Sequence, residues 1–231
     1  GVLFVYGNYS GDNMNFDIAA ELAAEEGVET RTVRVWDDVA TDDVEERRGI
    51  AGDLFVIKVA GAAPAAGYDD LDAVFDITTR ARDNTRSLGV GISPGTFPET
   101  GKPTFDLPED EIEIGMGLHG EPGVERAKMT SADDLVDNMM ERLLGDFGLS
   151  SGDEVAVLVN DLGSTTVAEL FIVNRRVQQI LSEKGITVHD TQIGRFCTTQ
   201  EMAGFSISLL KLDDELEKLY DMPASSLAFS K

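Results

Sequence analysis

Apolar residues recur along this chain with two spacings, every second position and every third or fourth, and segments of the two kinds alternate. Val2 to Tyr6 reads as a buried strand that breaks at Gly7-Asn8-Tyr9-Ser10-Gly11-Asp12. A helix is expected from about Asn13 to Glu26, with Met14, Ile18 and Leu22, joined by Ala19 and Ala23, on one apolar face. Gly27 stops it. Glu29 to Trp36 then alternates as a strand, Val33 and Val35 on one face and Thr32 and Arg34 on the other. A strand, loop, helix and strand in this order imply a parallel pair.

Asp37, Asp38, Asp42 and Asp43 read as loop and helix-start acids, and Asp53 as the cap of a helix over Leu54 to Ala63. Asp70 to Leu88 predicts a further helix. Val90 to Thr104, with Pro94, Pro98 and Pro103, reads as an irregular crossover and a domain boundary. Ser131 opens a helix to about Leu144 with an N-cap pattern. Glu154 to Val159 is a strand, and Thr165 to Lys184 a long helix burying Leu170, Val173, Val177, Ile180 and Leu181 until Gly185. Thr187 to Gly194 and Phe205 to Leu212 read as strands, and Asp213 to Tyr220 as a closing helix. The expected class is α/β in two domains, 1–88 and 89–231, each a mainly parallel or mixed sheet covered by helices.

One stretch stands out: Glu111 to Glu125, EIEIGMGLHGEPGVE. Period-two alternation gives a strand, and glycines 115, 117, 120 and 123 then bracket His119, where backbone can approach a ligand closely. The only other histidine, His189, lies in a polar strand edge and reads as solvent-facing. Asp12 stands where a strand hands over to a helix, the ligand edge of a parallel sheet, although a helix N-cap is the more ordinary reading of that position.

Composition narrows the classes. The 231 residues, 42% hydrophobic with 23 glycines, suit a folded α/β protein, and no apolar run reaches the length of about 20 residues that spans a bilayer. Against 19 Lys and Arg stand 43 Asp and Glu, a net charge of −24, which repels nucleic acid and anionic membranes. The acids are spread out, which fits adaptation of the whole surface to high salt; an acidic docking face for a basic partner is the alternative. A single cysteine, Cys197, excludes an internal disulfide and fits a reducing cytoplasm; it reads as a small buried residue. GVLFVYG at the start reads as a strand already under way without an initiating Met, which suggests a fragment, a processed chain or half of a split protein.

Several motifs fail on inspection. Gly115 to Gly120 matches G-x-G-x-x-G after a strand, but Pro122 and Gly123 break the segment where a helix must open. Gly95 to Lys102 has one residue too many for a P-loop, and Pro103 stands where Ser or Thr must hold magnesium. Ser10 is one place too late for a nucleophile elbow, and no Cys/His group has zinc spacing.

GNYSGDNMNFDIA, GKPTFDL, EIEIGMGLHGEPGVERAK, VLVNDLGST and CTTQEMAGFSISLLKLDDE, in this order, resemble the dihydroxyacetone kinase K subunit over essentially the whole chain. The resemblance implies a two-domain, usually dimeric, cytoplasmic α/β protein that holds a short keto-sugar for phosphorylation. The HGEPG histidine, here His119, would attack the substrate carbonyl through a ring nitrogen to give a covalent hemiaminal. That needs a neutral imidazole, the main form near pH 7 for an unperturbed pKa of about 6.5. The aspartate of the NYxGD motif, here Asp12, would take the proton of the terminal hydroxyl. Gly117 and Gly120 would line the substrate with these two, and no metal ligand is implied. ATP or ADP with Mg is expected on a partner L subunit or domain and no cofactor on this chain; one branch recharges L from a phosphoprotein. A chain ending at Lys231 fits the separate-subunit arrangement.

Two departures bear on substrate. The family carries a preceding segment of about 100 residues, the size of a small domain, whose GGGSGHEP loop completes the pocket; it is absent here. Many members have Lys where this chain has Gly7, which loses a hydroxyl contact and leaves erythrulose as an alternative to dihydroxyacetone. Family paralogues that sense ketoses as transcriptional co-activators are a second, non-catalytic alternative.

Overall fold

The computed structural model describes residues 1–227 and 229–231. Its main element is a six-stranded mixed sheet in the order β5-β4-β3-β8-β6-β7. These strands are β3 (Thr85–Ser93), β4 (Glu111–Ile114), β5 (Glu125–Lys128), β6 (Glu154–Asp161), β7 (Thr187–Gly194) and β8 (Ala203–Leu212). All neighbours are antiparallel except β6 and β7. Alternation along the central strands feeds two cores. Val155, Val157 and Val159 of β6 and Phe205, Ile207 and Leu209 of β8 face α4 (Ala132–Phe147) and α5 (Val167–Glu183). Ala156 and Leu158 of β6, with Leu210 and Leu212 of β8, face α2 (Asp53–Ala62), α3 (Leu71–Asp83) and α6 (Asp214–Asp221). The sheet is therefore flanked by helices on both faces, a mixed α/β architecture.

A separate two-stranded sheet precedes it. β1 (Val2–Gly7) and β2 (Thr30–Val35) pair in parallel through α1 (Ser10–Glu25), as the strand–helix–strand pattern requires. Val33 and Val35 pack with Val56 of α2. The loop after β2 ties this unit to the large sheet, with Val39 N donating to Ser87 O at 2.9 Å.

Several expectations are corrected. β1 is not a buried strand: it has one neighbour, Val2 is 43% exposed, and of Val2 to Tyr6 only Tyr6 is buried. Met14, Ile18 and Leu22 form an apolar face as spaced, but it points outward, at 64%, 56% and 58% exposure. α1 instead packs through Phe16, whose ring stacks on Tyr6 at 4.2 Å and leans on Phe4 at 5.3 Å. The helix expected over Asp70 to Leu88 ends at Asp83, with Asp70 as N-cap, because Thr85 onward pairs with β8. β3 thus takes in Val90 to Ser93, which read as irregular, and residues 88 and 89, the expected division, are consecutive in that strand. Asp37 and Asp38 lie in the loop after β2 as read, and both are buried there, at 0% and 1% exposure. Asp53 is the first residue of α2 and caps nothing; Gly52 occupies the N-cap.

Candidate active site

His119 is presented by a turn built from its neighbouring glycines. β4 and β5 form an antiparallel hairpin whose connection, residues 115–124, is the glycine-rich loop. Gly120 N donates to Gly117 O at 3.2 Å and Gly117 N to Glu121 O at 3.0 Å, closing a tight turn with His119 near its apex. Gly120 has a φ of +82°, which favours glycine. A Cβ on Gly117 would stand 2.2 Å from Glu121 Oε2 and 2.5 Å from Arg48 Nη1. The loop is seated by Met116, which packs with Leu162, Met202, Phe105 and Leu118. Because the loop joins two antiparallel strands and opens no helix, its G-x-G-x-x-G spacing cannot cradle a pyrophosphate in the dinucleotide manner.

Glu121 sets the state of the imidazole. One carboxylate oxygen accepts the backbone N–H of His119 at 2.9 Å and the other lies 2.9 Å from its Nδ1. Burial works to raise the Glu121 carboxyl, but the hydrogen bonds from His119 outweigh it and hold it below the usual carboxylate range. An ionised carboxylate only accepts, so Nδ1 carries a proton, and whenever the ring is neutral the lone pair is the one on Nε2. The His119 side chain is 68% exposed, so that lone pair is accessible.

Opposite the loop lies the β1–α1 junction. The ring of Tyr9, the N-cap residue of α1, meets His119 edge-on at 5.0 Å between centroids. Burial first, then the charge of Glu121, pushes the Tyr9 phenol far above its ordinary value, so it remains an O–H. Asp12 sits in the first turn of α1, exposed, and makes no capping hydrogen bond. The structure thus brings His119 against Tyr9, three residues before Asp12, without direct contact between His119 and Asp12.

A buried carboxylate set braces the two halves. Arg48 donates to Asp38 Oδ2 at 2.9 Å and to Gly115 O at 2.7 Å, fastening the loop after β2 to the base of the histidine loop. Burial, against the pull of Arg48, raises Asp38 to about 6. Asp37 accepts from Ile50 N at 2.8 Å and Gly52 N at 2.9 Å. Asn8 donates to Arg47 O at 2.8 Å, which fixes the start of the junction.

Sequence reasoning does not single out Glu121, Tyr9, Arg48 or the Asp37–Asp38 pair as site residues. Glu121, two places from His119 within the same motif, is the readable signal; Arg48 and Tyr9 reach the loop from 67 and 110 positions away. His189 is only partly solvent-facing: its side chain is 21% exposed, with Nε2 at 3.0 Å from Asp221 and Nδ1 at 3.3 Å from Glu154. Burial favours its neutral form, but Asp221 prevails and raises its pKa. Cys197 is half-buried, and burial pushes its thiol up to about 12. Among the described residues no helix is long and apolar enough to cross a membrane.

The model of the Dak1 domain matches residues 1–228. The "PTS-dependent dihydroxyacetone kinase 2, dihydroxyacetone-binding subunit DhaK" of Listeria innocua is 47% identical over 99% of this chain, which spans 69% of that protein. An L-erythrulose kinase of Pectobacterium atrosepticum is 42% identical over the whole chain, which spans 40% of it. Among solved structures, the dihydroxyacetone kinase operon co-activator Dha-DhaQ superposes with a TM-score of 0.90 at 28% identity, covering 96% of this chain and 70% of that one.

Proposed function

The chain belongs to the Dak1 domain family, and on that premise we propose that it is the ketose-binding subunit of a dihydroxyacetone-type kinase. His119 Nε2 attacks the carbonyl carbon of the ketose. The carbonyl oxygen takes up a proton, Nε2 loses its positive charge once Nδ1–H is given up, and a neutral hemiaminal results. The observation that carries this reading is the Glu121–His119 pair, which fixes the proton on Nδ1 and leaves Nε2 nucleophilic and open to solvent. A carbonyl is the one feature that separates such a ketose from glycerol, so a covalent anchor reads it directly. Asp12 takes the proton from the terminal hydroxyl as that oxygen accepts a phosphoryl group. Gly117 and Gly120 line the substrate by keeping side chains away from the ring.

The phosphoryl donor belongs to a partner subunit or domain carrying the nucleotide and Mg, and the chain works as a cytoplasmic homodimer. The small β1–β2 sheet, with its open strand edge and the outward face of α1, fits the remainder of an N-terminal domain completed by further polypeptide. The unit built on the six-stranded sheet, against which α2 and α3 also pack, then carries the histidine loop.

Asp12→Ala tests the division of labour: the purified protein should still form the ketose adduct, and phosphorylation by the nucleotide-bearing partner should be abolished. Full turnover by the variant would remove the catalytic role. The likeness to the co-activator Dha-DhaQ favours one second reading, ketose sensing without phosphoryl transfer. It predicts adduct formation with no phosphorylated product in that same assay. A preference for erythrulose over dihydroxyacetone, which the L-erythrulose kinase relative favours, would appear as the better substrate in it.

A further inference from the structure

Five buried side-chain polar atoms have no hydrogen-bond partner among the described residues, and three of them, Tyr9 Oη, Asn13 Oδ1 and Asp53 Oδ1, lie at the β1–α1 junction or on the start of α2 beside it. The other two, Thr79 Oγ1 and Arg80 Nε, are on α3. Unpaired polar groups are costly in a protein interior, and where several collect in one place they mark groups waiting for a partner.

Asp53 is the most unusual of the three. A Cβ on Gly7 would lie 3.2 Å from Asp53 Oδ2 and 3.3 Å from the Tyr9 ring, and one on Gly49 would lie 3.0 Å from Asp53 Oδ1. The carboxyl therefore rests over two glycine backbones and beside the ring that touches His119. It does not cap α2, and among the described residues no cation pairs with it. Burial first, then the negative charges of Asp37 and Asp12, hold it well above the ordinary carboxyl range. A side chain left with a buried, unpaired oxygen belongs with those retained at functional sites.

We propose that Asp53 is a further binding residue of this site, holding through its side-chain oxygens a hydroxyl group of the ketose whose carbonyl is anchored on His119. A hydroxyl both donates and accepts, so it satisfies the carboxyl in either protonation state. Asn13 Oδ1 and Tyr9 Oη offer the same hydroxyl-bearing chain a second acceptor and a donor. Two groups of the ligand are then read by different chemistry, the central carbonyl covalently and a terminal hydroxyl by hydrogen bonding. This rests on His119 being the ketose anchor.

The test uses the full-length protein, with Asp53→Ala and Asp53→Asn, and two probes labelled with carbon-13 at the carbonyl: dihydroxyacetone, and acetone, which offers the carbonyl alone. Adduct formation is followed by NMR titration and folding by thermal melting. Dihydroxyacetone binding should weaken about tenfold to a hundredfold in Asp53→Ala, the range for a hydrogen bond to an ionisable group. It should weaken less in Asp53→Asn, and acetone should be unaffected. Asp53→Ala should melt higher than wild type, since it removes a carboxyl whose Oδ1 is buried and unpaired. A merely structural Asp53 gives the reverse, a lower melting temperature with unchanged selectivity, and overturns the proposal. An adduct that forms equally in wild type and both variants sinks the role of Asp53 and leaves the anchor standing. No adduct in wild type removes both.

Discussion

Replacing Glu121 by Gln tests the orientation of the imidazole on which nucleophilic attack depends. The wild-type carboxylate makes two contacts of 2.9 Å with one residue, to the backbone N–H and to Nδ1 of His119. A charge-assisted hydrogen bond is worth about 1.5–3 kcal/mol. The imidazole is 68% exposed, so solvent screening lowers the expected loss to about 1–2 kcal/mol, or about five- to thirtyfold in affinity. The glutamine amide can also rotate its NH2 toward Nδ1 and stabilise the other tautomer, with the proton on Nε2 and the outward lone pair gone. The dissociation constant for dihydroxyacetone in Glu121→Gln should therefore rise by about that factor at pH 7.5. Melting should change little, because the loop lies outside the two main cores. The assay is titration with labelled ketose, read as the fraction of covalent adduct. Binding equal to wild type would refute the claim that Glu121 sets the tautomer.

Gly117→Ala should spare the fold and weaken ketose binding, because its Cβ would displace only the ends of Glu121 and Arg48; unchanged binding would contradict this. Gly123→Ala places a Cβ 2.3 Å from the carbonyl oxygen of Ile114, which is backbone, and should cost about 1–3 kcal/mol of stability in denaturant titration. On α1, Ile18→Ser should shift stability by no more than about 0.5 kcal/mol, whereas Phe16→Ala, which removes the ring stacked on Tyr6, should cost about 2 kcal/mol. A larger effect at Ile18 would show that its face is covered in the folded chain. Asp38 supplies a pH test: its pKa is raised on folding to about 6, so its contribution is complete below the unfolded value, about 3.9, and is lost as pH rises through about 6. At about 1.4 kcal/mol for each of two units, wild type should lose up to about 3 kcal/mol relative to Asp38→Asn between pH 4 and 7. A constant difference across that range would contradict the burial argument.

Much of the fold was legible where an element carries its own instructions. α5 has a capping box at Thr166 and Glu169, and its five buried residues are those its spacing picks out. Thr187–Gly194 is a strand as read. Misreadings arose where the deciding partner is distant. Spacing shows that Met14, Ile18 and Leu22 share a face, not whether anything lies opposite. The glycines and prolines around residues 89–103 obscured a central strand whose regularity comes from pairing with β8. The burial of the loop acid Asp37 was not legible because the amides of Ile50 and Gly52 that satisfy it lie 13 and 15 residues on. Within the site, motif order pointed to His119 and Asp12, and the fold adds what holds the first of them. Glu121 fixes its proton, Arg48 fastens its loop, and Tyr9 faces it across the junction.

The central claim is a bond between His119 Nε2 and a ketose carbonyl carbon. Protein incubated with dihydroxyacetone labelled at C2 and observed by NMR alongside His119→Ala tests it most directly. The account predicts a tetrahedral carbon signal coupled to an imidazole nitrogen in wild type and its absence from the variant. A bound ketose that keeps its free carbonyl signal, with His119 unmodified, would contradict it.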